Sequence, residues 1–115
     1  MDHKEVEEIW GIIDSELEKN NVPYKDANAV YQFELTDLDE GIYQLKLAGG
    51  SAIVKNDAED EADCTLKMKE KHFKKFLSGD LNSTTAFMTG KLKVDGNIGL
   101  ALKLENMLKQ YDFAK

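Results

Sequence analysis

FMTGKLKVDGNIGLALKLENML, residues 87–108, is the stretch whose reading decides the fold. Between Gly90 and Gly96 lies a five-residue alternation, KLKVD, which predicts a strand with Leu92 and Val94 turned inward. Asn97 has the side chain of a helix cap, and the helix it opens should run to about Lys109. On a helical wheel, Ile98, Leu100, Ala101, Leu102, Leu104, Met107, Leu108 and Tyr111 span an arc of roughly 220°. Covering one sheet takes an apolar stripe little wider than about 100°. Glu105 and Lys109 interrupt the arc near one edge, while Lys103, Asn106 and Gln110 form the main polar strip. The surplus has two readings. The helix is packed between the sheet and neighbouring helices, or its second face lines a cavity for an apolar ligand. An acyl chain with some ten methylenes buried in such a cavity gains roughly 8 kcal/mol before ordering costs. That function needs no catalytic group.

Upstream, residues 2–20 read as an amphipathic helix, with Val6, Ile9, Trp10, Ile13 and Leu17 at helical spacing. Asp2 is its expected cap, and Asn20-Asn21 before Pro23 its expected stop. NAVYQFELT alternates as a half-buried strand, and DLDEG is a turn. IYQLKLA alternates again, and Gly49-Gly50 joins it to SAIVK with the spacing of a tight hairpin. After the acidic loop NDAEDEAD, CTLKM places Cys64, Leu66 and Met68 on one face. Four such strands in succession predict an antiparallel meander. KEKHFKKFLSGD then predicts a helix ended by Gly79. NSTTAFMTG predicts a short one, capped by Asn82 or Ser83 and closed by Gly90. The expected architecture is one α+β domain over 1–115. Its mostly antiparallel five-stranded sheet is covered by helices, with a tail at 110–115.

A chain of 115 residues, 42% hydrophobic and 32% charged, has material for one domain with a real core. No apolar run approaches a membrane span. The start, MDHKEVEEIW, lacks the basic and apolar blocks of a secretory signal. A lone cysteine, Cys64, points to a reducing compartment. Net charge is −7 and arginine is absent, which argues against nucleic-acid binding.

Candidate chemistry is thin. His3 and His72 have no partner at a telling spacing and read as surface histidines; Cys64 reads as a buried structural thiol. Gly90, Gly96 and Gly99 fit neither the dinucleotide nor the Walker pattern. Asp57, Glu59, Asp60, Glu61 and Asp63 lack the EF-hand order and read as a solvated hairpin loop. No pair of carboxylates is singled out for glycoside chemistry. No metal site and no cofactor is expected.

The stretch from Phe87 resembles the C-terminal signature of the sterol carrier protein type 2 domain. There, Phe-x-x-Gly-Lys-Leu-Lys leads through Gly-Asn or Gly-Asp into an apolar helix. Phe87, Gly90, Lys91, Leu92, Lys93, Gly96, Asn97, Leu100 and Leu104 fit it as they stand, and ADCTLKMKEKHFKKFLSGDLNSTTAFM fits the preceding strand and helices. The resemblance covers about residues 25–110. It implies an apolar tunnel between sheet and helices that holds fatty acyl-CoA, fatty acids, phospholipids or sterols, in a module for lipid binding and transport. By position it implies Phe73, Phe76, Leu77, Phe87, Met88, Ile98, Leu102 and Met107 as tunnel residues, with the tail beyond Lys109 near the mouth. Thr89 stands where the family often has glutamine, so any polar contact that glutamine makes to ligand is in question here. The chain ends DFAK, without the terminal leucine of a peroxisomal address, and a cytoplasmic protein is expected.

Two further expectations follow. Lys67, Lys69, Lys71, Lys74 and Lys75 cluster around Phe73 and Phe76. They are a solvated face, or else a dock for anionic headgroups, with Lys69, Lys71, Lys74 and Lys75 on the membrane surface. The alternative to a free carrier is an accessory protein presenting a lipid-like substrate to a lipid-metabolising enzyme. A small enzyme would need an inward acid or base, for which Tyr31, Tyr43 and Cys64 are the polar-tipped candidates.

Overall fold

The computed structural model describes residues 5–113. In chain order the elements are α1 (Val6–Lys19), a 3-10 turn (Val22–Tyr24), β1 (Ala29–Leu35), β2 (Ile42–Ala48), β3 (Ser51–Lys55), β4 (Cys64–Met68), α2 (Glu70–Ser78), α3 (Ser83–Met88), β5 (Leu92–Gly96) and α4 (Ile98–Leu108). The five strands form one sheet in the order β3-β2-β1-β4-β5. α1 begins later than the expected 2–20: Glu5, with extended backbone, holds the cap position, so Asp2 is not its cap. Asp2 and His3 themselves lie outside the described residues, as do Ala114 and Lys115.

Strand alternation sorts the side chains into two layers. Tyr31, Phe33 and Leu35 of β1 stand beside Leu45 and Tyr43 of β2 and beside Cys64, Leu66 and Met68 of β4. Leu66 and Met68 stand in turn beside Val94 and Leu92 of β5. All four helices cover this face. Trp10 of α1 stacks on Tyr43 at 5.1 Å and on Phe73 of α2 at 5.4 Å, and meets Phe33 edge-on at 5.1 Å. This cluster joins α1, α2 and the sheet centre. Removing the indole should cost about 3–5 kcal/mol.

The tight hairpin is present: Gly49 and Gly50 take φ of +57° and +77°, the left-handed pair that a two-residue turn between paired Ala48 and Ser51 demands. The meander is not. β1 and β2, and β2 and β3, pair antiparallel, but β4 lies parallel to β1 instead of beside β3. The link from 56 to 63 therefore crosses β2 and β1 on the face away from the helices. Gln44, which alternation turns outward, is fully buried beneath it. Its amide nitrogen donates to Asp60 O at 2.7 Å and to Gln32 Oε1 at 2.8 Å, and its oxygen accepts from the Asp60 amide at 3.1 Å. Asp63 continues β4's approach by exchanging two 2.8 Å bonds with the Val30 backbone. The acidic loop is thus a fastened crossover, not a hairpin.

Residues 111–113 fold back on the helix layer. Phe113 is buried and stacks on Tyr111, whose hydroxyl donates to Asn20 O at the end of α1.

Candidate functional site

The geometry of the opening stretch is set by its caps and glycines. Asn82 Oδ1 accepts the Thr85 amide at 3.1 Å and starts α3. Gly90, at φ +78°, turns the chain into β5, which runs antiparallel to β4. Gly96 ends the strand at φ +94°, where a Cβ would come within 2.6 Å of Asp63 O. Asn97 Oδ1 accepts the Gly99 amide at 2.8 Å and starts α4.

The wide apolar arc of α4 is divided between two cavities. Ile98, Ala101 and Leu102 line one of about 160 Å³, closed by Phe87, Ser83 and Thr84 of α3 and by Leu92 and Val94 of β5. Leu100, Leu104 and Met107 line the other, of about 440 Å³, over Tyr31, Ala29 and Leu47 of the sheet. Its rim is polar: Asp26, Asn28, Lys103, Asn106 and Gln110. The polar strip read on the helical wheel is this rim. The small cleft has no titratable side chain in its lining.

Between the stripes, Glu105 ties α4 to α3. It is buried, accepts from both the amide and hydroxyl of Ser83, and pairs with Lys109 at 3.1 Å. Burial alone would push its carboxyl up, but the bonds from Ser83 and Lys109 prevail and hold it below the usual glutamate value. The interruption in the apolar arc is this latch.

Of the eight expected tunnel residues and Thr89, the structure gathers three in the small cleft: Phe87, Ile98 and Leu102, all about half exposed. Met107 lines the larger cavity instead. Phe73, Phe76 and Leu77 are core residues and line neither. Met88 lines neither and is 79% exposed. Thr89 caps α3, its hydroxyl donating to Thr85 O at 2.9 Å. The rest of the cleft lining, Ser83, Thr84, Leu92, Val94 and Ala101, was not in the expected ligand set, and Leu92, Val94 and Ala101 are its apolar part. Their inward direction was legible, but not which cavity they faced.

A third depression, where the end of β4 meets the start of β5, is lined by Thr36, Lys67, Met68, Lys69, His72, Thr89, Gly90, Lys91 and Lys93. Four of the nine are lysines and none is acidic. Burial and the neighbouring Lys71, Lys91, Lys75 and Lys69 pull His72 below the ordinary histidine value. Of the lysines read as a dock, Lys69, Lys71 and Lys75 are exposed, whereas Lys74 is paired with Glu70 at 2.8 Å. Phe73 and Phe76 do not share their surface.

Of the inward polar tips, Tyr31 and Cys64 are register partners on β1 and β4, while Tyr43 stacks on Trp10. Burial, with Cys64 and Asp63 nearby, pushes Tyr31 up to about 12; burial and Asp63 push the Cys64 thiol up to about 11. Both groups are neutral at physiological pH. Among the described residues no cluster of acids, histidine or cysteine could hold a metal, and no helix is long and apolar enough to cross a membrane.

Comparison with known proteins agrees with this architecture. The model of the SCP-2 sterol transfer family matches residues 14–109. Hydroxysteroid dehydrogenase-like protein 2 of Bos taurus is 42% identical over 106 residues, covering 91% of this chain and 25% of that protein. The chain thus spans about a quarter of that relative's length. Sterol carrier protein 2 from Yarrowia lipolytica, solved in its apo form, superposes with a TM-score of 0.73 at 30% identity, over 88% of this chain and 87% of that one. Sterol carrier protein 2 from Aedes aegypti, in complex with palmitate, has the same fold with a TM-score of 0.68 at 22% identity, over 91% and 94% of the two chains. With its parallel β1–β4 pair, helix layer and matched segment reaching from α1 through α4, the chain belongs to the SCP-2 sterol transfer family.

Proposed function

We propose that this chain acts as a lipid-binding and transfer module that takes an acyl chain into the cleft between α3, β5 and α4 and releases it chemically unchanged. One observation carries the reading: Phe87, Ile98 and Leu102 leave large apolar surface half exposed around a cleft with no acid or base in its lining. Such surface on a chain with 32% charged residues calls for an apolar occupant. Fatty acids, fatty acyl-CoA, phospholipids and sterol-like molecules all present the required surface. The palmitate held by the Aedes aegypti relative supports the acyl class. At about 160 Å³ the cleft is smaller than the roughly 300–1,000 Å³ of common ligand pockets. Entry of a long chain therefore requires α4 to shift against α3 and β5.

A titration with a fluorescent fatty acid tests this. Saturable binding is expected, weakened about tenfold or more by Leu102→Asp, which sets a carboxylate in the apolar lining. No saturable binding, or binding unaffected by Leu102→Asp, contradicts it. A second reading is favoured by the chain's span of a quarter of a dehydrogenase-like relative: the module presents a lipid to an enzyme, fused or separate. Native mass spectrometry separates the two. Lipid on the isolated chain supports the carrier; lipid only on a complex supports presentation.

A further inference from the structure

We propose that the chain docks on anionic bilayers through the β5 edge of the molecule, with Met88 and its apolar neighbours entering the membrane and Lys69, Lys91 and Lys93 contacting the headgroups. The proposal rests on the lipid-binding reading and adds where the lipid is collected.

Three observations carry it. First, four of the seven large apolar side chains exposed among the described residues lie together, apart from Val22, Ile42 and Ile53. Phe87, Ile98 and Leu102 share the small cleft, and Met88, beside Phe87 on α3, is 79% exposed and buried against nothing. Second, the lysines adjoin it in chain and space. Thr89, Gly90 and Lys91 follow Met88 directly and line the cationic depression together with Lys67, Lys69 and Lys93. The acids nearest in pairing are occupied, Asp95 by Lys67 at 3.1 Å and Glu70 by Lys74. Third, the exposed acids of α1 lie away from this edge, where the acid on β5 itself, Asp95, is paired with Lys67. In the strand order β3-β2-β1-β4-β5, α1 packs toward the opposite edge, on β3. The exposed side of α1 carries Glu5, Glu7, Glu8, Asp14 and Glu18. An anionic surface therefore repels α1 and attracts the β5 edge, although the whole chain bears −7. Exposed apolar side chains flanked by lysines are the chemistry of an interfacial membrane contact. The contact also sets the mouth of the cleft, marked by Phe87, Ile98 and Leu102, against the layer from which a chain would be drawn.

The test is co-sedimentation with phosphatidylcholine vesicles, with and without phosphatidylserine, at low and high salt. Wild type should bind the phosphatidylserine vesicles and lose binding in high salt. Lys91→Gln and Lys93→Gln should each weaken binding about fivefold, and Met88→Asp should weaken it further. None of these residues lines the cleft, so uptake of a fluorescent fatty acid in vesicle-free buffer should stay unchanged. Equal binding of wild type and variants overturns the proposal, as does binding indifferent to phosphatidylserine. Concentration-dependent dimerisation abolished by Met88→Asp, without vesicle binding, overturns it in favour of a second copy as the occupant. Docking by a wild-type chain that takes up no fatty acid upholds the surface and overturns the cleft reading instead.

Discussion

Glu105 shows how one residue carries several parts of the account. A carboxylate inside an apolar helix face costs desolvation, and only its bonds from Ser83 and Lys109 make the placement stable. Because its folded value lies below the ordinary 4.5, the stability it adds is present above that pH and fades as the pH falls through and below it. Glu105→Gln should therefore be less stable than wild type by about 1.5–3 kcal/mol at pH 7 in urea unfolding, with the gap closing toward pH 3. A gap independent of pH would remove the charge from the explanation. Cys64 gives a second prediction at this scale. Buried, with its thiol held at about 11, it should resist alkylation in the folded chain and react only on unfolding, measured by mass shift under native and denaturing conditions. Glu105 was legible as an oddity, a charge inside an apolar arc, though not as a latch. Gln44 was not legible at all. Alternation turned it to solvent, and only the crossing of the loop at Asp60, a long-range event, buries it.

At the scale of elements, local chemistry was read well. The caps at Asn82 and Asn97, the glycine turn at 49–50 and the strand at 92–96 follow from short-range signals, and the structure contains each of them. Sheet order was not readable in the same way. Nothing within residues 56–63 states that the link crosses two strands, so alternation alone puts β4 beside β3, whereas it pairs with β1. That arrangement explains Gly96. A side chain there would meet Asp63 O, the end of the crossover, in a backbone conformation unfavourable to L residues. Gly96→Ala should destabilise by about 1–3 kcal/mol in thermal or urea unfolding, whereas Gly11→Ala, open to solvent on α1, should be neutral or stabilising. The two apolar stripes of α4 make a functional prediction. Leu102→Trp fills the small cleft, displacing about two methylenes of ligand and weakening fatty-acid binding roughly tenfold. Stability should change little, because Leu102 is already 40% exposed.

For the whole molecule, the helices all lie on one face of the sheet, and their apolar exposure is concentrated at the β5 edge. The wide apolar arc that opened the sequence reading left ordinary packing and a cavity wall both open. The structure shows elements of each: Leu108 is core, while Ile98 and Leu102 face the cleft. The division between them depends on where α3 and β5 stand, which no helical wheel contains. The most direct test is a methyl and amide NMR titration of the isolated chain with palmitate. The account predicts that the largest shift changes gather at Phe87, Leu92, Val94, Ile98, Ala101 and Leu102, with smaller changes at Ser83 and Glu105 as α4 moves. Shift changes centred instead on Tyr31, Leu47 and Met107 of the larger cavity, or no saturable change anywhere, would contradict it.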